Sequence, residues 1–317
     1  MARYCSCSWV EMQKLLVLLS SVVVLGGCNA EALDAASDPG GAAGADGLTR
    51  SCNASFSKLD GALEACSLSE IASRVGVFRD EGSAAVVAIG SGAETLILTA
   101  AHNARRGTEE TKAVPPSLSS NGEGDINWLD PRGQISLSTS AARNLYYPGI
   151  PSSETGDRAA FLSPRNDFWF VVATASPTLS AKNVPPFRIA RAGESVRVVG
   201  IAGGGLGPRV TACTVLDDAR AKASLKRLAA EGDEEGGIPY DPEAEALCEG
   251  RGFSGMSGGG VFGTDGAHVG VIVRASSLEG KSPILRFVRT SFAVGQLQRA
   301  ASSAADRRRI EPFLTTK

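Results

Sequence analysis

From about residue 71 onward the chain is divided into short apolar runs, each closed by glycine or another turn-forming residue. These runs occupy 75–78, 85–89, 95–98, 167–172, 196–201 and 269–273. Runs this short suit strands rather than helices. Many short strands separated by glycine-rich turns argue for an all-β sandwich or barrel. The 37 glycines and 15 prolines set against 6% aromatic residues point the same way. With 317 residues, 43% of them hydrophobic, there is apolar material for one large core or two small ones.

Two segments break the β pattern. In 217–246, Ala221, Leu225 and Leu228 fall at i, i+4 and i+7, which predicts a short amphipathic helix. The acidic, glycine-containing stretch 231–237 that follows reads as a solvated loop, so the segment is a surface insertion bounded by Cys213 and Cys248. The stretch 292–309 predicts a helix packed on the outside.

At the amino end, Arg3 and Lys14 precede an apolar run over 15–25, too short to span a bilayer and suited to an export signal. Its end, Leu25-Gly26-Gly27-Cys28, resembles the bacterial lipobox, which implies lipid on Cys28 and attachment to a membrane. Asn29 after that cysteine, rather than aspartate, favours the outer membrane; cleavage further on, near 29–32, is the alternative and gives a secreted form. Met12 is an alternative start. Residues 28–50, rich in Ala, Gly, Asp and Ser, read as a flexible tether. The organisation expected is therefore a signal over 1–27, a tether over 28–50 and a folded domain over 51–317. Beyond the signal and Cys28, four cysteines remain: Cys52, Cys66, Cys213 and Cys248. Four thiols allow three pairings, and the sequential pairs Cys52–Cys66 and Cys213–Cys248 are favoured because each closes a local loop in an oxidising compartment. No CxxC pair or nearby histidine supports zinc, so no metal is expected. A net charge of −2 carries no sign of nucleic acid binding.

The chemistry concentrates at Gly255-Met256-Ser257-Gly258-Gly259 and at Leu98-Thr99-Ala100-Ala101-His102. A serine flanked by glycines allows a tight turn that brings a substrate carbonyl close to the hydroxyl and to backbone N–H groups. The serine segment also fits the nucleophile elbow of α/β hydrolases, but that fold needs an acid and then a histidine after the serine. Only His268 follows, too soon for both. The remaining histidine, His102, lies upstream.

The run ending at His102 resembles the Leu-Thr-Ala-Ala-His signature of the chymotrypsin/trypsin-like serine peptidases, and Gly90-Ser91-Gly92 resembles the turn leading into it. Tyr147-Pro148 and the run 165–171 resemble the approach to that family's buried aspartate, and 185–200 resembles the start of its second barrel. The resemblance covers most of 71–300. It implies an all-β chain of two six-stranded antiparallel barrels, the first over about 71–175 and the second over about 176–295, carrying the helical insertion and a C-terminal helix. It also implies a serine endopeptidase acting on peptide substrates with no cofactor: Ser257 as nucleophile, His102 as its base, Asp167 orienting His102, and the N–H groups of Gly255 and Ser257 as oxyanion hole. Asp157 is the rival acid; Asp167 is preferred because it opens an apolar strand, a setting that shields an acid from water. The alternatives are an inactive binding module on the same scaffold and hydrolysis of small esters.

Two positions depart from the family. Met256 stands where many relatives have the aspartate that pairs with a newly cut N-terminus, so activation by cutting before Val75 is not expected. Arg251 stands near the base of the specificity pocket and Arg274 on its wall, which disfavours a Lys or Arg preference and raises the option of an acidic one.

Overall fold

The structure is a computed structural model. It describes residues 71–314 except 79–81, 91–93, 105–121, 130–134, 150–162, 175–178, 180–183, 202–207, 253–254 and 277–282. The expected signal, the tether, Cys28, Cys52, Cys66 and Asp157 lie outside the described residues.

Six strands, β1 (Val75–Phe78), β2 (Gly82–Ile89), β3 (Glu94–Thr99), β4 (Gly122–Leu129), β5 (Ile135–Tyr146) and β6 (Trp169–Thr174), close into one barrel in the order β1-β2-β3-β6-β5-β4. Six more, β7 (Ser195–Ile201), β8 (Pro208–Val215), β9 (Glu245–Glu249), β10 (Gly260–Gly263), β11 (His268–Ala275) and β12 (Ile284–Arg289), close the second in the order β10-β11-β12-β9-β8-β7. Every pairing is antiparallel. This is the chymotrypsin-like architecture, with helix α1 (Asp218–Ala230) in the insertion and α2 (Thr290–Ala300) and α3 (Ala304–Leu314) at the end.

Side-chain alternation explains why β3 and β6 read as unbroken apolar runs. Ile97, Trp169, Val171 and Ala173 point into the first barrel with Phe78, Ile126 and Trp128. Their neighbours Leu96, Leu98, Phe170 and Val172 face the other way, into a core shared with Val271, Val273 and Val288 of the second barrel and with α2 and α3. Both faces of these two strands are therefore dry, and a polar alternation has no place in them. The second barrel fills with Val196, Val198, Val261, Val269, Ile272 and Phe287.

Three local expectations are corrected. Asp167 does not open a strand: Pro164–Asn166 forms a 3₁₀ turn, the Asp167 N–H donates to the Pro164 carbonyl at 3.0 Å, and β6 starts at Trp169. The C-terminal stretch is two helices, parted at 301–303, where the Ser303 hydroxyl accepts from the Asp306 N–H at 3.0 Å and starts the second one. The stretch 231–237 is not a solvated loop throughout, for Asp233 and Glu235 are buried. Asp233 caps the 3₁₀ turn Glu234–Gly237 by accepting from the Glu235 N–H at 2.8 Å, and Glu235 pairs with Arg274. In α1 the buried face is Ala221, Leu225 and Leu228, with Asp217 capping the helix through the Arg220 N–H. A disulfide joins Cys213 to Cys248 across the base of this insertion, 35 residues apart. A loop of that length stabilises the folded state by about 4 kcal/mol on chain-entropy grounds.

Candidate active site

Register brings two of the chemical residues together. Thr99 at the end of β3 pairs with Trp169 at the start of β6. His102 lies three residues past the first, in the 3₁₀ turn Ala101–Ala104, and Asp167 two residues before the second. Asp167 receives the His102 main-chain N–H at 3.0 Å and holds His102 Nδ1 at 2.8 Å from Oδ2 and 3.0 Å from Oδ1. The His102 side chain is 41% exposed and that of Asp167 only 10%, so the base faces solvent while its partner is sealed behind it.

Burial pushes the Asp167 carboxyl up, but the His102 charge, the hydrogen bonds from His102 and the Arg274 charge outweigh it and hold the group below its ordinary range. An ionised carboxylate only accepts, so Nδ1 carries the ring proton toward Asp167, and Nε2 keeps a lone pair on the open side.

Ser257 comes from the turn before β10. Its carbonyl accepts from the Ser83 N–H at 2.7 Å and from Asn103 Nδ2 at 2.9 Å, and Asn103 is the residue next to His102. The Ser83 hydroxyl donates to the Gly255 carbonyl at 2.7 Å and accepts from the Ile201 N–H at 2.7 Å. Thr99 Oγ1 donates to the Ser83 carbonyl at 2.7 Å. This buried polar seam ties the serine loop of the second barrel to the strands that present His102. Gly258 makes the approach possible: its φ is +83°, and a Cβ there would lie 1.9 Å from the Ser83 carbonyl oxygen and 2.4 Å from Thr99 Oγ1. Gly255 also has positive φ, at 87°. Among the described residues, neither the Gly255 nor the Ser257 N–H is spent on a main-chain bond.

Met256 is buried among the apolar residues of the second barrel, and Gly200 lies so close that a Cβ on it would meet Met256 Cα at 2.8 Å. Arg251 is exposed after β9, and Gly252 beside it packs toward Ala275, Leu285 and Met256. Arg274, near the end of β11, donates Nε to Glu235 Oε1 at 2.7 Å. Ser83, Asn103 and Glu235 were not singled out in the sequence. Asn103 is adjacent to His102, which is the single local hint among the three.

No family model matches the chain, and no curated protein does. Among solved structures, it is similar to the crystal structure of the Rv3671c protease in an inactive form, at 16% identity over 74% of this chain and 92% of that one, with a TM-score of 0.42. A serine-to-alanine mutant of Rv3671c from M. tuberculosis H37Rv, also in an inactive form, gives 14% identity, 75% and 92% coverage and a TM-score of 0.43. A Glu endopeptidase in complex with MPD gives 13% identity, 73% and 91% coverage and a TM-score of 0.45. At these identities and scores the likeness is one of general outline.

Proposed function

We propose that the protein is a serine endopeptidase, exported and lipid-anchored at Cys28. The observation that carries the catalytic reading is the buried Asp167 carboxylate gripping both the ring and the main chain of His102, with Ser257 pinned to the next residue, Asn103. As Ser257 Oγ attacks the scissile carbonyl carbon, its proton passes to His102 Nε2. The carbonyl oxygen becomes an oxyanion taken up by the N–H groups of Gly255 and Ser257, each worth about 3–4 kcal/mol. Collapse returns the proton to the leaving amine and leaves an ester on Ser257. Water then attacks the ester, giving its proton to His102, which passes it to Ser257 Oγ as that oxygen leaves and the acid is released. Asp167 stays ionised throughout and stabilises the transient imidazolium. Arg251 and Arg274 flank the pocket for the side chain before the scissile bond.

A fluorophosphonate probe tests the catalytic reading. Labelling of the wild type but not of Ser257→Ala is the expected result; no labelling of either replaces the peptidase with a binding module. The anchor is tested by feeding cells a fatty-acid analogue: wild type is expected to take it up and Cys28→Ala to lose it, whereas an unlabelled wild type removes the anchor.

A further inference from the structure

The insertion between β8 and β9 reaches β11 and β12 through charged side chains. Arg286 on β12 is wholly buried and makes a two-pronged contact with Glu245, Nε to Oε2 and Nη2 to Oε1, both at 2.8 Å. The same guanidinium donates to the carbonyls of Glu235 and Ile238 at 3.3 Å and of Pro239 at 2.8 Å, so it clamps the end of the insertion from within. The turn is also fixed against α1: a Cβ at Gly236 would lie 2.0 Å from the Ala229 nitrogen. Glu235 thus has little freedom. Its Oε1 receives Arg274 Nε at 2.7 Å, while Oε2 lies 3.6 Å from Arg286 Nη1.

Arg274 belongs to β11, which lies against β3. Val273, the residue before it, shares one core with Leu98, Ala100 and Phe168, which flank His102 and Asp167 in the chain. We propose that Arg274, held by Glu235, is a positioning residue for the Asp167–His102 pair, so that the insertion sets how readily His102 takes a proton. This rests on the peptidase reading above. It also assigns the Arg274 charge to an internal carboxylate rather than to an acidic substrate side chain.

Burial works against an ionised Asp167; the His102 charge and hydrogen bonds oppose it, and the Arg274 charge adds to them. The other charged groups around this line are accounted for. Asp233 and Arg286 face Glu235, Glu245 is matched to Arg286, and Arg165, in the turn before Asp167, is bonded to Asp241 at 2.5 Å and near Glu243 at 3.7 Å.

Removing a cation near an imidazole raises its proton affinity, and removing an anion lowers it. Arg274→Gln is therefore expected to move the acid limb of the kcat/KM profile to higher pH, and Glu235→Gln to lower pH, each on the order of half a pH unit. The double variant should return close to wild type, as should Arg274→Lys. A merely structural role does not produce opposite shifts that cancel.

The chain has two histidines, and burial first, then the Arg74 charge, depresses the pKa of His268 well below the ordinary value. Histidine NMR on the Ser257→Ala protein therefore reads His102 directly, with no need for activity. Equal or same-direction shifts in the two single variants overturn the proposal, as does a gain in neutral over acidic peptide cleavage on losing Arg274. If the fluorophosphonate probe fails on wild type while His102 still shifts in opposite directions, the coupling stands and the peptidase reading falls.

Discussion

Asp167 and His268 are both buried titratable groups, and they set opposite ends of the acid response. Asp167 is held below its ordinary value of 3.8, so it adds stability above that pH and loses it as pH falls further. His268 is enclosed against the Phe262 ring, at 5.1 Å between centroids, with Nδ1 2.7 Å from Thr290 Oγ1. Burial, then the nearby Arg74 charge, depresses its proton affinity, so it stays neutral in the folded chain and charges when unfolded. Its stabilising contribution is complete above pH 6.5 and is lost as pH falls below that. Between pH 6.5 and 5.5, His268→Asn is expected to lose about 1 kcal/mol less stability than wild type in urea unfolding. Glu235, pushed up chiefly by burial, acts in the other direction in both proteins and cancels from the comparison. Identical slopes show that His268 is not neutral when folded.

Among the elements, β1 bears on activation. Val75 is buried and pairs with Ala85, and the Arg74 carbonyl accepts from the Val86 N–H at 2.8 Å, so the ladder runs through the bond that a processing protease would need. Arg74 is itself buried: it donates to the Gly266 carbonyl at 2.6 Å and to Val86 at 3.2 Å, and lies 4.6 Å from the centre of the Phe262 ring. Ile71 and Ala72 fill a small core with Val75, Val199 and Phe262. A chain beginning at Val75 loses these contacts. Such a truncation is expected to destabilise the fold by at least about 3 kcal/mol, the scale of two lost core side chains, and to lower peptidase activity. Thermal unfolding and peptide turnover check both, and a rise in turnover reverses the conclusion.

At the scale of the whole molecule, two barrels with separate interiors meet along an apolar face and a thin polar seam. The apolar face supplies most of the adhesion, since burial scales with area. The seam supplies orientation. Ser83 bonds at once to Gly255, Ile201 and Ser257, which makes it the hub through which the first barrel aims the serine turn. Ser83→Ala leaves the Gly255 carbonyl and the Ile201 N–H without that partner. The expected cost is about 2 kcal/mol in stability and a fall in kcat of roughly 10- to 100-fold, because the Gly255 peptide is no longer held. Unchanged kcat with reduced stability means that the seam joins the barrels without aiming the turn.

Much of this architecture was legible in the linear chain because its causes are local. Short apolar runs on dry strands, glycines at turns and the 3.6-residue spacing of Ala221, Leu225 and Leu228 act within a few residues. Strands β4, β5, β8, β9 and β12 were not read, since Gly, Ser, Thr or charged residues interrupt their apolar pattern. Residue types in order also marked His102, Asp167 and Ser257. What tertiary structure alone decided is which groups meet across long separations: His102 with Asp167 over 65 residues, Asn103 with Ser257 over 154, and Glu235 with Arg274 over 39. A charge is stabilised or exposed by what surrounds it in space, and for Glu235 those surroundings come from β11 and β12, which no local pattern around it encodes.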